Sequence, residues 1–321
     1  MARSIRKSVI LHKLETTAGT DAAPTNTADA VLFHVQNLSC KIEQQFAERD
    51  VVNGNFATPD QLPYTRRGTI TFTVDAAGSG VAGTAPAVGR LLQGVGMAET
   101  VTAGSRVTYN EIADAIKTST IWCYWDGELR KFKYCSGNMT ADFSTGAVPT
   151  FTFTFQGLVT SVTAASNPTP TITPWKRPVA VGAANTSALT LGGTLSAGAV
   201  TGGSAFNFKN LSWDLGNDVQ FDELCAAETV GIYGRNSTMS VVLDLSVAEE
   251  VQKYADMHAG TTTTLSFVHN GANAGSIILP FFGKAVITGI EDNVDGNKLL
   301  SQLTLSLTAP TTNDAIQMVF K

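Results

Sequence analysis

The residues with the most chemical promise are glycines. Gly78-Ser-Gly80-Val-Ala-Gly83 reads G-x-G-x-x-G, follows strand-like text and precedes a helical stretch, with Glu99 about 20 residues further on. In a dinucleotide fold such glycines permit a tight turn and a close backbone approach to a pyrophosphate seated on a helix N-terminus. The surroundings point elsewhere. The preceding strand, Thr69-Ile-Thr-Phe-Thr-Val74, alternates polar and apolar side chains, whereas a strand of a parallel α/β sheet is apolar on both faces. Pro86 starts the helix beyond the glycines rather than among them, and no β-α-β succession follows. The stretch reads as a flexible strand-to-helix loop, and no cofactor is implied.

The remaining groups assemble no reaction centre. Cys40, Cys123, Cys135 and Cys225, with His12, His34, His258 and His269, show neither C-x-x-C nor H-E-x-x-H spacing, so no metal site is expected. Cys123 and Cys135 flank a hairpin turned by Asp126-Gly127. A two-residue turn pairs Cys123 with Arg130, and a four-residue turn pairs it with Phe132. Neither register sets the two thiols opposite each other, so four reduced, mostly buried cysteines are expected. Asp292-Asn-Val-Asp-Gly-Asn297 lacks the EF-hand spacing and its terminal Glu, and reads as a hairpin turn. The acid pairs Asp222-Glu223 and Glu249-Glu250 read as solvated charges. Trp122, Trp125, Trp175 and Trp213 could together form a sugar-binding surface. Trp122 and Trp213 lie in strand text and are expected in the core, with Trp125 exposed. Without a P-loop or a G-x-S-x-G, no catalytic residue is assigned and the chain is not read as an enzyme.

What must position these residues is β-structure. Of 321 residues, 41 are Thr and 29 are Gly, a composition that favours strands and turns. The length suggests two domains. The formal charge is −5 without a basic patch, which argues against tight nucleic-acid binding. No apolar run approaches membrane-spanning length, and charges at Arg3, Arg6, Lys7, Lys13 and Glu15 are unlike a secretory signal. Residues 1–30 read as an arm, with Ile5, Val9, Leu11 and Leu14 as its apolar contacts. Residues 31–162 read as a first β domain: a strand, a long polar excursion over 47–67 with Asn53-Gly54-Asn55-Phe56 near its tip, the Thr69 strand, and a short helix over 86–97. The Trp122 hairpin, a separate strand over 138–143 and a strand over 150–155 complete it. Residues 163–204, rich in Pro, Gly and Thr, read as a linker or loosely packed connection. Residues 205–310 read as a second domain, followed by a C-terminal segment, 311–321.

The second half repeats the first. Asn37-Leu-Ser39-Cys-Lys-Ile42 aligns with Asn210-Leu-Ser212-Trp-Asp-Leu215, and Arg66-Arg-Gly-Thr-Ile-Thr-Phe-Thr-Val-Asp75 with Arg235-Asn-Ser-Thr-Met-Ser-Val-Val-Leu-Asp244. The order strand, long loop, strand, helix, hairpin, strand, strand recurs in both halves. The expected fold is all-β: two tandem duplicated domains, each a β-sandwich or half-barrel with one short helix.

The N-terminal text Ile5-Arg-Lys-Ser-Val-Ile-Leu-His-Lys-Leu-Glu-Thr-Thr-Ala-Gly-Thr-Asp-Ala-Ala-Pro24 resembles the start of major tail tube proteins of long-tailed bacteriophages, a short apolar arm followed by Lys-x-Glu-Thr-x-x-Gly-Thr-Asp. The doubled domain resembles the subclass in which one chain carries two tube domains. That resemblance implies a structural virion protein, assembled in the host cytoplasm, whose rings stack into a hollow conduit for DNA ejection. Six domains around the axis make trimeric rings of this chain, with hexameric rings as the alternative. It also implies tape-measure, tail-terminator and distal-tail partners, DNA passing without specific binding, and no membrane. The excursions over 47–67 and 218–235 become ring-to-ring hooks, with Asn53, Gly54, Asn55, Phe56, Asp222 and Glu223 as contacts. Glu43, Asp142, Asp244 and Glu291 are the candidate acids of the lumen. The arm, linker and C-terminal segment are expected to order by adding to a neighbouring subunit. A tube from a phage-like bacteriocin or secretion apparatus, or a virion decoration or carbohydrate-binding β module, remains open at this level.

Overall fold

The computed structural model describes residues 3–52, 54, 56, 60–309 and 315–321. After a 3-10 turn at Ile5–Lys7 come β1 (Val9–Leu14), β2 (Ala30–Val31), β3 (Ser39–Ala47) and β4 (Leu62–Asp75). Helix α1 (Gly89–Gly94), β5 (Met97–Thr102), β6 (Arg106–Glu111), β7 (Ser119–Tyr124), β8 (Glu128–Ser144) and β9 (Thr150–Ala164) complete the first half. The second half begins with the short strands β10 (Leu189–Leu191), β11 (Thr194–Ser196), β12 (Ala199–Thr201) and β13 (Ser204–Phe206). Then follow β14 (Phe208–Asp214), β15 (Asn217–Leu224), β16 (Ala227–Arg235) and β17 (Thr238–Leu243). Helix α2 (Val247–Ala259), β18 (Thr262–Ser266), β19 (Ile278–Asp295), β20 (Lys298–Leu307) and β21 (Ile316–Phe320) end the chain. The fold is all-β.

Eight strands run antiparallel in the spatial order β3-β4-β9-β8-β14-β17-β20-β19. Their period-two text explains them: Thr and Ser alternate with Phe, Val and Leu, so one face of each strand is dry and the other wet. β8 is 17 residues long, which lets one edge serve two neighbours. Its first part pairs with β7 and its last five residues pair with β14. The first half carries the order β2-β1-β7-β8-β9-β4-β3, and the second the order β13-β10-β18-β19-β20-β17-β14.

The dry face of this sheet lies on a core that runs through both halves. At its middle, Trp213 of β14 stacks on Phe143 of β8 at 5.5 Å and meets Phe282 of β19 edge-on at 5.4 Å. Helix α1 presents Leu91 and Leu92 to this core with the flanking Val88 and Val95, all fully buried. It is shorter than the expected 86–97 span. Helix α2 starts on a capping box, Ser246 with Glu249, and stops at Gly260 in the left-handed region. It buries no residue fully.

Several expectations change. The separate strand over 138–143 is the continuation of the Trp122 hairpin: both belong to β8, and a bulge between Lys133 and Ser136 hides the continuity in the pattern. The arm does not wait for a neighbour. β1 pairs with β7 and β2 of its own chain, burying Val9 and Leu11; Leu14 is half-buried and Ile5 is exposed on the preceding turn. The C-terminal strand β21 likewise pairs with β19 and β6. The 163–204 stretch is not loose: Trp175 Nε1 donates to the Ala30 carbonyl at 2.9 Å, Val181 and Leu189 are buried, and β10 pairs with β13 and β18. Trp122 is half-buried under Lys131, and Trp125 is half-buried beneath Arg130. The Asp126-Gly127 hairpin takes the two-residue register, Cys123 opposite Arg130. All four cysteines are free: Cys123 and Cys135 are buried, Cys40 is half-buried and Cys225 is exposed.

Two outcomes follow from the packing. Trp213→Ala removes the ring shared by both halves and should cost about 3–5 kcal/mol, with both halves melting in one transition by calorimetry. His12 of β1 is fully buried 5.4 Å from the Phe155 ring. Burial, and secondarily the charge of Arg90, hold its pKa down to about 3 from 6.5. The unfolded chain therefore takes up this proton between pH 6.5 and 3 and the fold does not. Stability from this group is complete above pH 6.5 and falls as pH drops, by about 2 kcal/mol at pH 5. Denaturant titrations at pH 7 and pH 5 should show a smaller loss in His12→Leu than in the natural chain.

Candidate functional site

The wet face of the eight-stranded sheet runs across both halves of the chain. Two cross-strand rows define it. One runs Thr73, Thr152, Thr140, Asp214, Thr238, Ser306; the other runs Asp75, Thr150, Asp142, Ser212, Ser240, Thr304. Both cross the β8–β14 joint between the halves without a break. The row between them on the dry side is Val74, Phe151, Ala141, Trp213, Met239, Leu305. Hydroxyls bond across strands, Thr73 Oγ1 to Thr152 Oγ1 at 2.8 Å and Thr71 Oγ1 to Thr154 Oγ1 at 3.2 Å. At the joint the face dips into a shallow trough of about 300 Å³, lined by Thr140, Asp142, Ser212 and Asp214 among others.

The four sequence-predicted acids all fall on this face. Glu43 pairs in register with Arg67, Asp142 with Thr150 and Ser212, and Glu291 with Gln302. Asp244 lies one residue past β17 and is bridged by Lys298 at 2.5 Å. Among the described residues, no basic side chain bridges Asp142, Asp214 or Glu291. Asp142 accepts from Ser144 Oγ at 2.6 Å, and Asp214 accepts from Asn138 Nδ2 at 2.7 Å. The face is therefore small, hydroxylated and mildly acidic. The described residues form no His, Cys, Asp and Glu cluster able to hold a metal.

The 218–235 excursion is a two-stranded hairpin, β15–β16, that clasps the first half. Asn217 Nδ2 donates to the carbonyls of Val95 at 2.7 Å and Gly137 at 2.9 Å. Arg67 Nε and Nη2 donate to Glu228 and Glu223, each at 2.7 Å, and the guanidinium lies 4.8 Å over the Phe221 ring. Glu223 is thus occupied within its own chain, while Asp222 is exposed. At the tip of the other excursion Gly54 and Phe56 are exposed, Phe56 completely; Asn53 and Asn55 lie outside the described residues. Arg67, Phe221 and Glu228 escaped the sequence reading because nothing local announces a contact between strands some 160 residues apart.

The glycine cluster has a structural task. Gly80 N donates to the Gly275 carbonyl at 2.8 Å. A Cβ on Gly78 would stand 2.4 Å from that same oxygen. The 76–84 loop thus lies backbone to backbone on the 270–276 loop, which only glycine permits. His258 is exposed on α2.

The described residues thus form an antiparallel sheet with a dry face on the core and a hydroxylated face in solvent. The match to protein families agrees: residues 5–316 fit the phage tail tube protein family, and this chain belongs to it. A search of curated proteins gives no match. No described helix is long and apolar enough to cross a membrane.

The clasp can be checked directly. Arg67→Ala strips two carboxylates of their shared donor and should cost about 1–3 kcal/mol. Hydrogen exchange should quicken across 217–235 while β14 and β17 keep their protection.

Proposed function

We propose that this protein polymerises as rings that stack into the tail tube, a hollow conduit through which DNA leaves the virion. One observation carries the reading: the eight-stranded sheet ends on two unpaired edges. β3 bonds β4 on one side only, and residues 289–295 of β19 bond β20 on one side only, among the described residues. Long open edges are templates for further pairing. Two different edges on one molecule make a head-to-tail contact, which closes into a ring when the rotation permits. The β8–β14 joint already makes one such step inside the chain.

On this reading each half is one tube module, so three chains supply the six modules that the family resemblance implies. The wet face lines the bore. Glu43, Asp142, Asp244 and Glu291 then face the passing DNA among threonines and serines, repelling phosphate rather than holding it. The 48–61 excursion, with exposed Phe56 at its tip, and exposed Asp222 on β15–β16 serve as contacts between stacked rings. Tape-measure, terminator and distal-tail proteins complete the tail, which is assembled in the host cytoplasm.

Electron microscopy of the concentrated protein should show hollow tubes with a regular axial repeat and three chains per ring. Six chains per ring, with one half of each lining the bore, would overturn the two-module reading.

A further inference from the structure

The β8–β14 joint has a register that can be compared, residue by residue, with the two open edges of the sheet. Corresponding rows can be traced across each half. In the first half Lys41, Thr69, Gln156 and Ser136 lie directly opposite one another; in the second Asp214, Thr238, Ser306 and Val286 do so. Lys41 is therefore the counterpart of Asp214, and two residues back Ser39 is the counterpart of Ser212. At the far side of each half, Thr140 lies opposite Thr152, and Glu291 opposite Gln302. Thr152 and Gln302 each lie four positions before the aligned Gln156 and Ser306, so Thr140 and Glu291 correspond. By the same step Asp142 and Asn293 correspond, since they oppose Thr150 and Leu300.

Inside the chain Thr140 faces Asp214, and Asp142 faces Ser212. We infer that β19 of one copy pairs antiparallel with β3 of a second copy in this same register, setting Glu291 opposite Lys41 and Asn293 opposite Ser39. The inference rests on the tube reading above and adds the partner surface and its alignment. The neighbouring elements agree with it. The edge of β8 carries β7 and then β14; the same edge of β19 carries β18 over residues 281–286 and is open beyond. The charges agree as well. Among the described residues Glu291 is exposed with no basic partner, and Lys41 is exposed on the open strand, bridged to Glu43 two positions along. The internal joint places a hydroxyl against a carboxylate at this row, whereas the joint between chains places opposite charges. An edge that selects Glu291–Lys41 lowers the chance of pairing two β3 edges or two β19 edges, because either would set like charges together.

The test is a charge reversal read by the concentration at which rings and tubes appear, using sedimentation and electron microscopy of the full chain. Lys41→Glu and Glu291→Lys should each raise that concentration about tenfold or more, and the double reversal should recover most of the loss. Thermal melts of each variant, matched to the natural chain, confirm that folding is intact. Tubes from both single variants at the natural concentration overturn the register and leave the tube reading standing. Failure of the double reversal to recover overturns the pairing of these two residues. A natural chain that forms no ring or tube overturns the tube reading itself, and this inference with it. An independent readout is the Ser39→Cys, Asn293→Cys double variant, treated with a mild thiol oxidant after assembly. Chain-to-chain ladders on non-reducing gels are expected, and their absence from assembled tubes overturns the register.

Discussion

Everything in this molecule leans on the pairing of β8 with β14. A strand edge presents a row of backbone donors and acceptors that must be bonded or hydrated, and the last five residues of β8 meet that demand with the second half of the chain. The joint does more than satisfy those groups. By holding the two wet faces in register, it turns two four-stranded units into one continuous surface. By holding the two dry faces together, it lets Trp213 and Phe143 stack and makes a single core of the two halves. The clasp of β15–β16 over Arg67 adds a second tie between the halves.

The abundance of threonine makes physical sense in that frame. A β-branched residue fits a pleated strand, and its hydroxyl satisfies itself across the strand or with water. A face built this way stays hydrated without strong charge, and the few acids set its sign. Such a surface is suited to touching a polyanion briefly and unsuited to gripping it. The two helices show how differently the halves use their surroundings. Helix α1 is sealed into the core, whereas α2 leaves Val247, Val251 and Tyr254 exposed.

The sequence by itself determined the class of fold and the strands of strict alternation, those around Thr69–Val74 and Thr150–Phe155. The Thr-Ile-Thr-Phe-Thr and Thr-Phe-Thr-Phe alternations state which side of each strand is dry, since side chains in a strand alternate strictly. Glu43, Asp142 and Glu291 lie on strands spread from one edge of the sheet to the other, and Asp244 follows β17, a placement that only the strand pairing sets. What only the tertiary structure decided were the contacts made at a distance. The arm and the C-terminal strand pair within their own chain, the 218–235 excursion folds back on Arg67, Gly78 and Gly80 lie on the 270–276 loop, and Gly83 lies on the 102–105 turn. None of these has a local signature. A strand edge looks the same in sequence whether its partner is the next strand, a residue 160 positions away or another molecule. Only the closing of the sheet in space, which satisfies some edges and leaves others open, tells them apart.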